Sequence, residues 1–196
     1  TENPLCIGGD NFTVPSNAGN IRAIKHAANI NTQLGQGDLF IGTRKAIYTL
    51  EVPVTRANWI AATSNNMPVQ KVAQLNNGWV NDRSVVAVNG DLFGQSLEPS
   101  IRSLRVAIRN FNEWGNVPIS TAETRALQFN DRSLMRFSSG IEFDNRLLQA
   151  VLPRKVDQGV VHDGILPLSF ETISTLEKQL APVWEGMYEG QQVLQL

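Results

Sequence analysis

The sequence predicts a mostly β protein made of repeated antiparallel sheets, with about 50 residues in each repeat and short helices inserted between strands. The first observation is a repeated tetrapeptide: Asn-Asp-Arg-Ser occurs at residues 81–84 and again at 130–133, a separation of 49 residues. The second is a glycine-led segment that occurs three times, at Gly37–Phe40, Gly90–Phe93 and Gly140–Phe143. Strand repeats of this period are typical of β-propeller blades. We therefore expect the three segments to occupy equivalent strand positions in successive sheets.

Turn residues between apolar runs predict four hairpins. The predicted turns are residues 42–45, Asn89-Gly90, Asp144-Asn145 and Asp163-Gly164. Such pairs favour a hairpin because both central residues tolerate positive φ. After the first turn, Tyr48, Leu50 and Val52 alternate with polar residues, which indicates a strand with one buried face.

Helical spacing interrupts this strand pattern in three places. The predicted helices are Ser100–Trp114, Thr121–Gln128 after a capping box from Ser120 to Glu123, and Thr172–Leu180. The first would bury one apolar stripe against its own sheet, made of Ile101, Leu104, Ile108 and Phe111. Its opposite face would turn three arginines towards solvent or a neighbouring subunit, namely Arg102, Arg105 and Arg109.

Composition sets limits on the class of protein. Of the 196 residues 42% are hydrophobic and 18% are charged, which suits a packed core, and the net charge of −1 argues against a strongly basic nucleic-acid binder. The single cysteine, Cys6, cannot form an internal disulfide. No apolar run approaches the roughly 18 residues of a membrane span. We expect one domain over residues 1–196, or a fragment of a longer protein, since the chain begins at Thr1 like the interior of a sequence.

Residues that often carry chemistry are few and scattered. His26 and His162 lie in no metal-binding or catalytic motif, so we expect both at the surface or in loops, with no catalytic residue, metal or cofactor. Asp82, Asp131 and Asp144 each lie near an arginine and are expected to form turns and salt bridges. The four tryptophans are expected to pack in the core or an interface, although they could also stack on sugars: Trp59, Trp79, Trp114 and Trp184.

Whole segments of the chain are similar to a known group of virion proteins. The segments are 37–52 (GDLFIGTRKAIYTLEV), 81–114, 138–153 (SSGIEFDNRLLQAVLP) and 182–190 (PVWEGMYEG). They resemble the tail nozzle or tail tubular proteins of short-tailed bacteriophages. Nozzle subunits are normally much longer than this chain, which agrees with the expectation of a fragment.

The resemblance implies a structural protein of the virion tail, assembled in the host cytoplasm, and not an enzyme. It implies a homo-oligomeric ring of propeller-bearing subunits around the DNA channel. Its partners would be copies of itself and the neighbouring tail and portal-adaptor proteins, with transient contact to passing DNA. Two alternatives stay open: a receptor- or carbohydrate-binding module at the tail tip, and a hydrolase built on a propeller.

Overall fold

The computed structural model describes residues 16–26, 39–50, 69–75, 77–104, 119, 127–171 and 182–196. These residues form twelve strands in three antiparallel sheets, two short 3-10 helices at Ser16–Ala18 and Met135–Phe137, and almost no α-helix. The prediction of a mostly β chain is confirmed. The predicted helix Thr172–Leu180, and Thr121–Gln128 apart from its last two residues, lie outside the described residues. In the part of the chain that is described, no helix is long and apolar enough to cross a membrane.

The first sheet has four strands that pair in the order of the sequence. They are β1 (Ile21–His26), β2 (Leu39–Thr43), β3 (Ala46–Leu50) and β4 (Val69–Leu75). The predicted hairpin between β2 and β3 is confirmed, with the turn at Arg44-Lys45. The Thr43 hydroxyl closes this turn through hydrogen bonds with the N–H and carbonyl of Ala46. Tyr48 is buried and Thr49 is half-buried, which agrees with the start of the predicted alternation, whereas Val52 lies outside the described residues.

The second sheet contains β5 (Val86–Val88), β6 (Asp91–Ser96) and β7 (Ser100–Ser103), again paired in sequence order. Asn89 and Gly90 have φ of 49° and 71° in the β5–β6 turn, which confirms the predicted Asn-Gly hairpin.

Strand β7 occupies the start of the predicted helix Ser100–Trp114, so the helix prediction is wrong there; residues 105–118 lie outside the described part. A short turn after Ser96 returns the chain beside β6, and the pairing of Ile101 with Gln95 overrides the helical spacing. Ile101 and Leu104 are buried, as expected of the stripe. Arg102 does not face solvent: its side chain is 7% exposed and pairs with Glu98 at 3.4 Å.

The third sheet contains β8 (Gly140–Phe143), β9 (Arg146–Val156), β10 (Gly159–Ser169) and β11 (Val183–Trp184) in that order, and β12 (Tyr188–Val193) pairs with β10 as well. The β8–β9 turn has Asp144 and Asn145 at φ of 51° and 55°, as predicted. The predicted hairpin at Asp163-Gly164 is wrong, because both residues lie inside β10. The turn is instead at residues 157–158.

Two contacts explain why β10 continues through the Asp-Gly pair. Asp163 forms an ion pair with Arg154 on β9, with Oδ2 and Nε 2.8 Å apart. Gly164 lets Met187 and Val151 approach closely, since a Cβ there would lie 3.1 Å from the Met187 sulfur. Cross-strand pairing thus outweighs the local preference of Asp-Gly for a turn.

The glycine-led repeat is only partly structural. Phe40 lies on β2 and Phe93 on β6; both strands are interior to their sheets and both side chains are buried. Phe143 lies on the edge strand β8 and is 65% exposed. Gly90 lies in a turn and Gly140 begins a strand, whereas Gly37 and Asp38 lie outside the described residues. The third segment is therefore not equivalent to the second, and that prediction is wrong.

The sheets bury their apolar side chains in separate clusters. Phe93, Leu147, Leu166 and Phe170 belong to one buried cluster, in which the rings of Phe93 and Phe170 pack edge to face at 5.3 Å. A second cluster joins the first two sheets and contains Phe40, Ile47, Trp79, Leu92 and Leu104. Trp79 lies between β2 and β6, and this position determines the shape of the site described next.

Candidate functional site

A cleft of about 260 Å³ opens beside the junction of the first two sheets. Its walls carry four arginines from three separate regions of the chain: Arg22 on β1, Arg44 in the β2–β3 turn, and Arg132 and Arg136 in the segment before β8. The remaining lining residues are Trp79, Val80, Leu97 and Ser133. None of the lining residues that the structure describes is acidic. We call this site the arginine cleft.

The floor of the arginine cleft is fixed by Trp79. Its indole lies against Gly42 of β2 and Gly94 of β6; a Cβ at Gly42 would lie 2.2 Å from the ring and one at Gly94 would lie 2.5 Å from Nε1. The backbone N–H of Trp79 donates to the Thr43 carbonyl at 3.1 Å, and that of Val80 donates to the Gln95 carbonyl at 3.0 Å. These bonds hold the floor to both sheets, and they place it beside the turn that carries Arg44.

Asn81, the first residue of the first Asn-Asp-Arg-Ser turn, positions the far wall. Its Nδ2 donates to the carbonyls of Arg136 and Ser138, each at 2.7 Å. Its Oδ1 accepts from the Ser84 N–H at 2.7 Å, so one side chain closes its own turn and holds the segment that carries Arg136. The Gly140 N–H adds a bond to the Arg83 carbonyl at 2.9 Å.

The second Asn-Asp-Arg-Ser turn supplies Arg132 and Ser133 to the cleft. Here the aspartate closes the turn, since Asp131 Oδ1 accepts from both the N–H and the hydroxyl of Ser133. These hydrogen bonds lower the pKa of Asp131, because they stabilise its charged form. Asn130 reaches away from the turn and accepts the Leu152 N–H at 2.7 Å. The two copies of the tetrapeptide thus form different turns.

The cleft is positively charged, because its four arginines have no acidic partner among the described residues. In the described part of the chain, none of the four guanidinium groups forms an ion pair with a carboxylate. Arg136 packs instead over the Phe137 ring, 4.8 Å from its centre. Several arginines converging without counter-charges can hold an anion through charge-assisted, bidentate hydrogen bonds. The described lining residues include no histidine, cysteine or carboxylate that could transfer a proton.

The two histidines lie away from this lining. His26 ends β1 and is exposed. His162 is fully buried in β10, so the expectation of a surface or loop position is wrong for it. Its Nδ1 lies 3.3 Å from the Val193 carbonyl on β12, while Nε2 has no hydrogen-bond partner among the described residues. Burial lowers the pKa of His162, because it disfavours the imidazolium.

The remaining candidate residues are the tryptophans, the aspartates and several residues outside the described part of the chain. Trp79 is buried in the core, and Trp184 is half-buried with its Nε1 donating to the Ile119 carbonyl at 3.0 Å. Asp82 binds Lys25 at 2.9 Å, and Asp144 binds Arg146 at 3.2 Å. The expected salt bridges are thus present at Asp82 and Asp144, whereas Asp131 closes its turn through Ser133 and forms no ion pair among the described residues. Cys6, Trp59, Trp114, Arg105 and Arg109 lie outside the described residues. No three His, Cys, Asp or Glu residues cluster as a metal site in the described ranges.

No protein-family model matches this sequence, and neither a curated protein nor a solved structure is significantly similar to it.

The arginine cleft was not predicted from the sequence. One signal was present, because Arg132 and Ser133 belong to the repeated tetrapeptide. Their convergence with Arg22 and Arg44 depends on contacts between residues roughly 90 or more positions apart, which no local pattern contains.

Proposed function

We propose that this chain is a structural subunit of a bacteriophage virion, of the tail nozzle or tail tubular type, which acts by assembly and not by catalysis. The observation that carries the proposal is the position of the large apolar side chains that are exposed to solvent. Among the described residues, most of them lie on the outer strands of the sheets or just beyond: Ile21, Ile24, Ile141, Phe143, Val183, Tyr188 and Leu194.

Edge strands with exposed apolar side chains favour contact with another chain. Among the described strands, β1 ends the first sheet and β8 ends the third, so each has a described sheet neighbour on one side only. Proteins that stay monomeric usually protect such edges with charges, prolines or bulges. Here Phe143 and Ile141 are exposed on β8, and Tyr188 is exposed on β12. Repeated contact through such edges builds rings when the rotation between copies closes.

Strand order supports the blade arrangement that we include in the proposal. The first sheet and the path β8-β9-β10-β11 of the third are four-stranded meanders, and the second sheet is a three-stranded one. A propeller blade is a four-stranded antiparallel sheet, and blades follow one another along the chain. We propose that the sheets are blade-like units of a propeller-bearing subunit.

The resemblance of the sequence to nozzle proteins supplies the rest of the proposal. The subunits would form a ring around the DNA channel of the tail, with portal-adaptor and other tail proteins above and below. The carbohydrate-binding alternative has less support, because Trp79 is buried and Trp184 is engaged at the core. No specific observation favours a hydrolase.

Two measurements test this proposal. Mass photometry of the purified full chain should show a closed oligomer, and electron microscopy of particles labelled on this chain should place it on the tail axis. Phe143→Lys combined with Tyr188→Lys should give monomers, because charge on both edges opposes pairing. Phe129→Lys is the matched control, since Phe129 is exposed but lies outside the strands. A wild-type chain that stays monomeric at every concentration and is absent from particles contradicts the proposal.

A further inference from the structure

We propose that the arginine cleft binds single-stranded nucleic acid, holding backbone phosphates with its arginines and stacking an unpaired base on Phe137. The inference goes beyond the proposed function, because ring assembly itself needs no nucleic-acid ligand. It is carried by the geometry of the cleft alone, and its experiment measures a different property from ring formation.

Charge is the first argument. Arg22, Arg44, Arg132 and Arg136 bring four positive charges to one opening, and no carboxylate among the described residues neutralises them. The planar fork of a guanidinium matches two phosphate oxygens at once, which an ammonium group does not. The chain as a whole has a net charge of −1, so the four arginines form a local positive site on a protein that is not basic overall.

The size of the cleft limits what enters it. Its volume of about 260 Å³ is below the usual range for whole drug-sized ligands, which begins at about 300 Å³. It therefore suits a short part of a longer anionic molecule. The four arginines come from β1, the β2–β3 turn and the segment before β8, so consecutive phosphates of a polymer can each meet a different guanidinium at this opening.

Phe137 provides the argument for an unpaired base. Its ring is 43% exposed, although it belongs to the same short helix as the cleft residue Arg136. The Arg136 guanidinium lies 4.8 Å from the centre of this ring, so an exposed aromatic side chain lies directly beside one of the lining arginines. Grooves that combine basic residues with exposed aromatic rings are typical of single-strand binding, because every base has a stacking face.

Two competing ligands use less of this arrangement. An acidic peptide would pair with the arginines but would leave the Phe137 ring without a role. A nucleic-acid duplex keeps its bases stacked inside, so it would offer phosphates to the arginines and nothing to the ring. The single strand is the ligand that accounts for both features.

The cleft is also held in shape before any ligand arrives. Asn81 fixes the backbone at Arg136, and the paired bonds of Trp79 and Val80 fix the floor. A site built in advance loses less freedom on binding, which favours affinity.

The test is fluorescence anisotropy of a short labelled oligo(dT) strand, titrated with the full chain at about 50 mM salt and then at rising salt. Four phosphate contacts on a single strand predict a slope of log K against log salt near −3, at about −0.7 per contact. Oligo(U) is measured in parallel. Binding of either strand supports the site, and the tighter of the two identifies the sugar that it prefers.

Matched variants separate charge from stacking. Arg132→Gln should weaken binding and reduce the salt slope by about 0.7, whereas Lys155→Gln, an exposed cation on β9, should change neither. Phe137→Ala should weaken binding by about tenfold with an unchanged salt slope, since a stacked base contributes about 1–3 kcal/mol. Phe129→Ala removes another exposed ring, which lies outside the strands and is not a lining residue of the cleft, and should have no effect.

Three results would overturn the inference. The first is an absence of binding at low salt. The second is an affinity for a duplex of equal length that equals the affinity for the single strand, together with no effect of Phe137→Ala on binding. The third is full competition by poly-glutamate, which would assign the cleft to an acidic protein. None of these depends on assembly. A chain that forms rings without binding oligonucleotide refutes the ligand alone, and a monomer that binds oligonucleotide refutes the proposed ring alone.

Discussion

Arginine serves opposite purposes in two regions of this molecule. Arg146, at the start of β9, reaches three carboxylates: Asp144 at 3.2 Å, Glu171 at 2.9 Å and Glu185 at 3.0 Å. The four arginines of the cleft reach none within the described ranges. Arg146 therefore stabilises the third sheet through ion pairs, whereas the cleft arginines have no counter-charge among the described residues.

The difference indicates which arginines stabilise the fold. Hydrogen bonding to Glu185, followed by the charge of Glu171, raises the pKa of Arg146, so its partners favour the charged guanidinium. In the cleft, neighbouring guanidiniums repel each other, and the fold gains nothing from bringing them together. Clusters of unneutralised charge that cost stability are characteristic of binding sites.

Gly42→Ala should have the largest effect, because it tests whether the floor of the cleft is rigid. Its Cβ would lie 2.2 Å from the Trp79 ring, which is itself held between two sheets. We expect the free energy of unfolding to fall by about 3 kcal/mol, as in overpacked cores. Urea denaturation measures it, and Ala87→Val, which adds volume at an exposed position of β5, is the control. An unchanged stability would mean that Trp79 moves freely and the cleft is not preformed.

Asn81→Asp should destabilise by about 2 kcal/mol, since the donor to two carbonyls becomes an acceptor that faces them. The same variant should weaken oligonucleotide binding, because Arg136 loses its support. Asn89→Asp is the matched control, as its amide makes one exposed hydrogen bond to Asn145. Equal effects of the two variants would contradict the positioning role of Asn81.

Acid should weaken the third sheet through His162. The folded state lowers the pKa of this residue below its ordinary value of 6.5, so the unfolded state binds more protons once the pH falls under 6.5. Stability is therefore complete above about pH 6.5 and is lost progressively as the pH falls towards the folded pKa. Thermal denaturation across this range should show the loss in wild type and in His26→Gln, and a smaller loss in His162→Gln. The same slope in all three proteins would count against this assignment.

The smallest effects come from removing single arginines. Arg146→Gln should lower the melting temperature by a few degrees, and added salt should reduce the difference, because the pairs are partly exposed. Arg44→Gln should leave the melting temperature unchanged or raise it slightly at low salt, since it removes repulsion. If Arg44→Gln destabilised the protein as much as Arg146→Gln does, the cleft arginines would be structural and the comparison would fail.

Features that depend on neighbouring residues could be predicted from the sequence, whereas features that depend on contacts between distant residues could not. The turns at Asn89-Gly90 and Asp144-Asn145 were predictable, because their left-handed backbone depends on the two residues themselves. The helix at Ser100 and the hairpin at Asp163 were predicted wrongly, since pairing with β6 and β9 overrides local preference. The cleft could not be predicted, because its arginines meet only when the first sheet packs beside the turn that contains Arg132.

Asn81 also bears on the order in which the chain folds. Hairpins such as β5–β6 and β9–β10 close short loops, and such hairpins form within about 1–10 μs. The bond from Asn81 to the Arg136 carbonyl closes a loop of 55 residues, and that from the Ile24 N–H to Asp82 closes one of 58. Contacts of this separation must overcome a larger loss of chain entropy and form late. We therefore expect the hairpins to form first and the cleft to be completed in one of the last steps, so that partly folded chains carry the arginines but lack the site.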